Sequence, residues 1–166
     1  MQAPQGALFF GKIPETSAPS IAGGSLILDG IQDPGNLGTI LRTADALNVP
    51  VLLTDGCADP YSPKTIRASM GAVFRTVPVR TDREEAAALC RSHGIPLIAA
   101  ALSPRAKDIR SLDLKGAAVI VGSEGQGISP ELLALTDGEL IIPMNERCES
   151  LNAAVAAVIV MWQMTE

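Results

Sequence analysis

Short apolar segments rich in β-branched residues alternate along this chain with segments of helical periodicity, and this alternation restricts the possible folds more than any other feature. The strand candidates span residues 7–11, 26–28, 51–54, 77–79, 97–101, 118–121 and 140–142. They are almost continuously apolar, which is typical of parallel strands buried on both faces. The pattern therefore predicts an α/β domain with a mainly parallel sheet and helices on both faces.

Capping residues predict where the intervening helices begin and end. Asn36 is the expected N-cap of a helix over 37–47, and Ser150 that of a helix over 151–164. A Ser-Pro pair opens a predicted helix over 62–74. Further helices are expected over 81–92 and from residue 129, giving a helix after most of the strands.

The composition excludes several classes of protein. Hydrophobic residues make up 47% of the 166 residues, which predicts one globular domain rather than a disordered chain. Apolar runs are shorter than a membrane span, and the first eleven residues lack the pattern of a secretory signal. We therefore expect a cytoplasmic location and no membrane partner.

The cysteines and the histidine do not indicate a metal centre. Cys57, Cys90 and Cys148 are widely separated, and His93 is the only histidine in the sequence. Neither a zinc site nor a histidine-based triad is supported by this spacing. We expect no metal, and we expect the cysteines to be reduced thiols packed as small hydrophobes.

Three strand exits carry unusual polar or glycine-rich sequences. Ligands of doubly wound sheets bind beyond the carboxyl ends of the strands, so these exits are the candidate site. The first, over 28–38, combines turn residues with the expected cap Asn36 and leads into a helix that holds Arg42. Arg42 could reach an anion across the strand exit, or it could form an ordinary surface salt bridge.

The second exit, over 121–129, has three glycines that permit a close approach of backbone to ligand. Its spacing matches neither the dinucleotide fingerprint nor the phosphate-binding loop. Glu124 between two of the glycines would repel a phosphate, so a neutral or cationic ligand fits better. The third exit, over 141–152, leads into an alanine-rich helix that is either simply buried or packed closely against a partner subunit.

Together the three exits resemble the three motifs of the SpoU (TrmH-like) family of SPOUT methyltransferases. The resemblance rests on residues 33–38 with Arg42, on residues 122–125, and on residues 142–144 with 150–152. It implies a deep trefoil knot at the C-terminal end, a homodimer, and S-adenosylmethionine-dependent methyl transfer to a ribose 2′-hydroxyl of RNA. Ribosomal RNA is the expected substrate. The alternatives are a transfer RNA substrate, a non-catalytic RNA-binding module on the same fold, and a Rossmann-like nucleotide-binding domain.

The resemblance also implies roles for individual residues. Those expected to hold the cofactor are Gly122, Ile142, Met144 and Leu151. Those expected around the methyl group and the ribose are Asn36, Arg42, Glu124, Ser150 and Asn152. A guanidinium does not accept a proton, so we interpret Arg42 as a clamp on an RNA phosphate. Glu146 departs from the family, which often has glycine at this position.

The charge does not fit an RNA-binding domain, which usually carries a basic surface. The net charge is −5. By resemblance to two-domain members of the family, residues 1–24 are expected to be a junction strand and linker from a missing N-terminal RNA-binding domain. Residues 25–166 would then be the catalytic domain, and much of the RNA affinity would lie outside this sequence.

Overall fold

A seven-stranded sheet in which every pairing is parallel forms the centre of the computed structural model, which describes residues 10–13, 21, 23–145 and 147–166. The strand order is β3-β2-β1-β6-β4-β7-β5. The strands are β1 (Leu26–Asp29), β2 (Val51–Leu53), β3 (Val79–Arg80), β4 (Leu97–Ala100), β5 (Lys107–Asp108), β6 (Ala118–Gly122) and β7 (Gly138–Ile141). The predicted α/β fold with a parallel sheet is confirmed.

Helices cover both faces of this sheet. They are α1 (Pro34–Leu47), α2 (Pro63–Ala68), α3 (Arg83–Ser92), α4 (Pro130–Leu133) and α5 (Ala153–Thr165), with 3₁₀ turns at Ala72–Phe74 and Ile109–Ser111. Leu28 of β1 packs in a core shared with α1 and α5, whereas its neighbour Ile27 packs in a second core shared with α3 and α4. Because successive residues of a strand point to opposite faces, two cores explain the continuous apolarity of the strands.

Two helices begin at residues other than those predicted. The N-cap of α1 is Asp33, whose Oδ1 accepts the backbone N–H of Asn36 at 2.8 Å, so the prediction that Asn36 caps this helix is wrong. Pro34 after the cap suits the first helical position, where its missing N–H is not needed. Ser150 does not cap α5 either, because Asn152 accepts from the N–H groups of Ala154 and Val155.

The predicted helix over 62–74 is interrupted. Helix α2 ends at Ala68, and Met70 and Gly71 then adopt left-handed backbone angles, with φ of 52° and 80°. Such residues end a helix, and only a short 3₁₀ turn follows. The strand predicted over 77–79 lies instead at Val79–Arg80, and β5 was not predicted.

Some expectations are not tested by this structure. The predicted strand over 7–11 and the predicted loop over 14–24 lie largely outside the described residues, as does Glu146. The trefoil knot stays a prediction from the family resemblance. Among the helices of the described residues, none is long and apolar enough to cross a membrane.

Candidate active site

A cavity of about 390 Å³ opens at the carboxyl ends of β4, β6 and β7. Because all the strands are parallel, their exits lie along the same edge of the sheet, and the loops after these three strands form the walls with the start of α5. Leu102, Ile128 and Leu140 contribute apolar surface to the lining. The volume lies in the range of sites for small molecules and cofactors.

The structure brings together all four residues predicted to hold a cofactor. Gly122, Ile142, Met144 and Leu151 line this one cavity, although they come from two different strand exits. Their role in binding stays a prediction, but their placement is what that role requires.

A tight turn after β6 explains the glycines of the second exit. Ser123 and Gly127 face each other across it, each donating its backbone N–H to the other's carbonyl oxygen, at 3.2 and 2.9 Å. A Cβ atom on Gly122 would lie 2.2 Å from the carbonyl carbon of Gly127, so no larger residue fits there. The turn places Glu124 near its tip, at the edge of the cavity.

Glu124 forms a hydrogen-bonded cluster with Asn36 and Asn152, and we call these three residues the Glu124 cluster. Glu124 Oε1 accepts from Asn36 Nδ2 at 2.5 Å and from Asn152 Nδ2 at 3.1 Å. It also accepts the backbone N–H of Ala153 at 3.1 Å, and Asn152 Nδ2 donates to Asn36 Oδ1 at 3.1 Å. Three donors therefore converge on one carboxylate oxygen.

The Glu124 cluster joins the three strand exits. Asn36 belongs to the first turn of α1, Glu124 to the turn after β6, and Asn152 is the cap of α5. A carboxylate is stabilised beside the N-terminus of a helix, where N–H groups point outward, and Glu124 takes this position at α5. The contacts fix three sequence-distant segments in one arrangement beside the cavity.

The two other residues predicted to act in catalysis lie outside this cluster. Ser150 lines the cavity. Arg42 is exposed on α1, six residues after Asn36 and so about 9 Å further along the helix axis. Within the described part of the chain the side chain of Arg42 makes no hydrogen bond or ion pair, so the surface salt bridge is not observed there.

Sequence reasoning missed the buried carboxylate of Asp29, which ends β1 and is only 2% exposed. Its Oδ1 accepts from Thr54 Oγ1 at 2.6 Å and from Arg83 Nε at 2.9 Å, and its Oδ2 accepts the N–H of Ser129 at 2.7 Å. Burial acts to raise the pKa of Asp29, but the hydrogen bonds from Thr54, Ser129 and Arg83 together lower it below its usual value. The feature of the sequence that could have identified Asp29 is an acidic residue at the end of an otherwise apolar strand.

Acidic, cysteine and histidine side chains do not gather into a metal site in the described part of the chain. Over the residues that the structure describes, no group of three or more of them could hold a metal ion. All three cysteines are free, and burial raises the pKa of Cys90 to about 11, so this thiol is protonated at neutral pH.

The sequence of this chain also matches a family model. The model, described as the SpoU rRNA Methylase family, matches residues 24–162, which include the cavity and the Glu124 cluster. The chain belongs to the SpoU rRNA Methylase family. The resemblance predicted from the three strand exits is thereby confirmed.

Two relatives of this chain are named for methylation of different RNAs. The 23S rRNA (guanosine(2553)-2′-O)-methyltransferase RlmP of Bacillus subtilis is 39% identical over 84% of this chain and 56% of its own length. The tRNA (guanosine(18)-2′-O)-methyltransferase of Thermus thermophilus is 35% identical over 84% of this chain and 72% of its own length.

A solved structure shares the fold. The AdoMet-bound rRNA methyltransferase from Sinorhizobium meliloti superposes with a TM-score of 0.79, at 34% identity, over 87% of this chain and 56% of that one. The chain spans a little over half the length of the first curated relatives it matches, with shares of 56%, 54% and 57%.

Proposed function

We propose that this chain transfers a methyl group from S-adenosylmethionine to a ribose 2′-hydroxyl of RNA. The observation that carries the proposal is the cavity with the Glu124 cluster at its edge, built from the motifs of a methyltransferase family. The relatives from Bacillus subtilis and Thermus thermophilus are both named as ribose 2′-O-methyltransferases.

The residues of the cavity fit S-adenosylmethionine. Apolar side chains such as Ile128 and Ile142 suit an adenine ring, and Gly122 leaves backbone accessible where any Cβ would clash. When bound, S-adenosylmethionine supplies a methyl group on a positively charged sulfur, already activated for displacement. The carboxylate of Glu124, at the edge of the cavity, has the sign that suits a cation.

The reaction then requires mainly that groups are positioned and that a proton is removed. Glu124 Oε2 makes no hydrogen bond among the described residues, so this oxygen is available to accept one from a ribose hydroxyl. Asn36 and Asn152 hold the carboxylate through its other oxygen. Arg42 binds an RNA phosphate bidentately and so holds the ribose hydroxyl in place, and Glu124 Oε2 takes the proton of that hydroxyl.

Ribosomal RNA is the substrate that we propose, with transfer RNA as the alternative. One relative acts on 23S rRNA and another on tRNA, and both cover most of this chain. The net charge of −5 is a poor match to an RNA surface. We therefore propose that a separate N-terminal RNA-binding domain, joined through residues 1–24, supplies much of the affinity for RNA. We also propose that the protein acts in the cytoplasm.

The exposed side of α5 supports a homodimer. This helix is apolar on all sides, yet Val155 is 47% and Trp162 is 58% exposed. A hollow of about 250 Å³ beside Val155 is lined by residues of α1 and α5 together with the cap Asn152, and Asn36 is one of them. A second copy of the chain would cover this apolar surface next to the Glu124 cluster.

Transfer of radiolabelled methyl groups to ribosomal RNA tests the proposed function, followed by alkaline hydrolysis of the product. The 2′-oxygen is the nucleophile in alkaline cleavage of RNA, so a 2′-O-methylated nucleotide protects the bond that follows it. We expect the label in alkali-resistant dinucleotides. Label in mononucleotides would indicate methylation of a base, and no label with either ribosomal or transfer RNA, together with no binding of S-adenosylmethionine, would favour a non-catalytic binding module.

A further inference from the structure

We infer that Asp29 is a positioning residue for methyl transfer, because its buried carboxylate clamps the base of the turn that carries Glu124. This inference rests on the proposed function for its effect on activity. The clamp itself is a property of the fold and has a test of its own.

The two ends of the turn both meet Asp29. In the parallel pairing of β1 with β6, Asp29 lies opposite Gly122, the last residue before the turn. Its side-chain Oδ2 accepts the N–H of Ser129, the first residue after the turn, at 2.7 Å. One residue therefore fixes both the entry and the exit of the segment 122–129.

The segment held in this way is the one whose position matters for the site. It contributes Gly122, Glu124 and Ile128 to the cavity lining, and it brings Glu124 Oε1 within hydrogen-bond distance of Asn36 and Asn152. A shift of the exit would move all of these together, since the Ser123–Gly127 bridge makes the turn one unit.

The carboxylate is itself held from the opposite side. Thr54 at the end of β2 and Arg83 at the start of α3 both donate to Oδ1, so Oδ2 remains directed to Ser129. Arg83 is 29% exposed and forms the ion pair with a nearly fully buried partner. Asp29 thus links the first and second strand exits to the end of β2 and the start of α3.

Stability alone does not account for an ion pair at this position. Burying a charge carries a large desolvation cost, and well-packed apolar residues in place of a buried ion pair are often equally stable or more so. What an apolar side chain cannot do is accept the N–H of Ser129. Only a carboxylate accepts from Ser129 with one oxygen and from Thr54 and Arg83 with the other, so the set of hydrogen bonds taken together is the property that requires it.

Four variants separate the clamp from general stability. Asp29→Asn places an amide N–H₂ group against either Ser129 or Arg83. In either orientation of the amide, one of these two residues loses its hydrogen-bond acceptor. Thr54→Val removes only the hydroxyl, and Thr54→Ser keeps it. Asp45→Asn is the matched control, since it breaks the ion pair of α1 with Arg75, at 2.6 Å, outside the cavity lining.

Amide hydrogen exchange measures the clamp without any cofactor. We expect exchange at Ser129 and Gly127 to be about tenfold faster in Asp29→Asn, because a hydrogen bond to a charged group is lost. Thr54→Val should show a smaller increase, and Thr54→Ser and Asp45→Asn none. Unchanged exchange in both Asp29→Asn and Thr54→Val would overturn the inference. If Asp29→Asn does not fold, unchanged exchange in Thr54→Val alone would overturn it.

Steady-state kinetics measure the consequence for the reaction, well below the unfolding temperature of each variant. We expect Asp29→Asn to lower kcat about tenfold or more with a smaller change in the KM for RNA, since the Glu124 cluster is displaced. Asp45→Asn should keep the wild-type kcat. If the wild type transfers no methyl group but exchange at Ser129 is faster in Asp29→Asn, the clamp is supported and the proposed function is contradicted. If Asp29→Asn is active with an unchanged kcat, the clamp does not position the site.

Discussion

Gly38 has no Cβ atom, and this allows α1 to pack closely against α2. A Cβ atom on this residue would lie 2.5 Å from the Cβ of Ala68, 2.7 Å from the carbonyl oxygen of Thr65 and 2.9 Å from the amide nitrogen of Ser69. Two of these neighbours are backbone atoms, which cannot rotate away. We expect Gly38→Ala to destabilise the chain by about 1–3 kcal/mol, although alanine favours a helix by about 1 kcal/mol.

Urea unfolding measures this effect. Gly125→Ala is the control, because nothing lies within 4 Å of the added Cβ, and it should change the free energy of unfolding by less than about 0.5 kcal/mol. Equal stability of Gly38→Ala and wild type would show that the two helices move apart freely.

Asp29 makes a second prediction at the residue scale, for the dependence of stability on pH. The pKa of its carboxyl is lower in the folded chain than its usual value of 3.8. Its contribution to stability is therefore complete above about pH 5 and is lost as the pH falls from there through the folded pKa. The stability difference between wild type and Asp29→Asn should shrink between pH 6 and pH 3 in urea titrations, and a constant difference would contradict the assignment.

Residues with a motif could be predicted from the sequence, and residues that depend on distant contacts could not. Glu124 stands out between glycines, and the structure does bring it to Asn36 and Asn152. Asp29 has its partners 25, 54 and 100 positions away, and no spacing rule relates them.

At the scale of elements, Asn152 has two functions that a suitable pair of variants separates. Its Oδ1 caps α5 and its Nδ2 donates to Glu124. Asn152→Ser keeps a capping oxygen but loses the donor, and Asn152→Ala loses both. We expect Asn152→Ser to unfold within about 0.5 kcal/mol of wild type and Asn152→Ala to lose about 1 kcal/mol.

The same two variants should both lower methyl transfer, since neither donates to Glu124. Thermal unfolding and transfer rates measured on the same samples distinguish the two functions. A fully active Asn152→Ser would show that its amide does not contribute to the reaction.

The errors in element boundaries have a common physical cause. Asn36 and Ser150 are good capping residues, but each competes with another one nearby, Asp33 and Asn152. Local preference does not choose between such candidates, because the choice is made by the tertiary position of the strand exit. The break at Met70 was likewise hidden, since methionine rarely adopts a positive φ, although Gly71 beside it is a common residue at the end of a helix.

At the scale of the whole molecule, the burial of the sheet on both faces was predictable from the apolar runs of the sequence. Contacts between subunits were not, because they depend on which face of a helix the fold leaves uncovered. The proposed homodimer makes a direct prediction here. Val155→Lys should leave monomer stability nearly unchanged, since the side chain is 47% exposed, and should dissociate the dimer because a buried charge would lack a partner.

Sedimentation velocity over a range of concentrations measures this dissociation. Met70→Lys, which changes an equally apolar residue that is 70% exposed after α2, is the control and should keep the dimer. A wild-type chain that stays monomeric at all concentrations would contradict the homodimer.

Calorimetric titration of the chain with S-adenosylmethionine tests the central claim most directly, with wild type and Gly122→Ala compared at the same temperature. Binding at one site per chain is expected for wild type. Gly122→Ala should abolish it, since the added Cβ would displace Gly127 and with it the cavity wall. No binding to the wild type, or equal binding to both chains, would contradict the assignment of this cavity as the cofactor site.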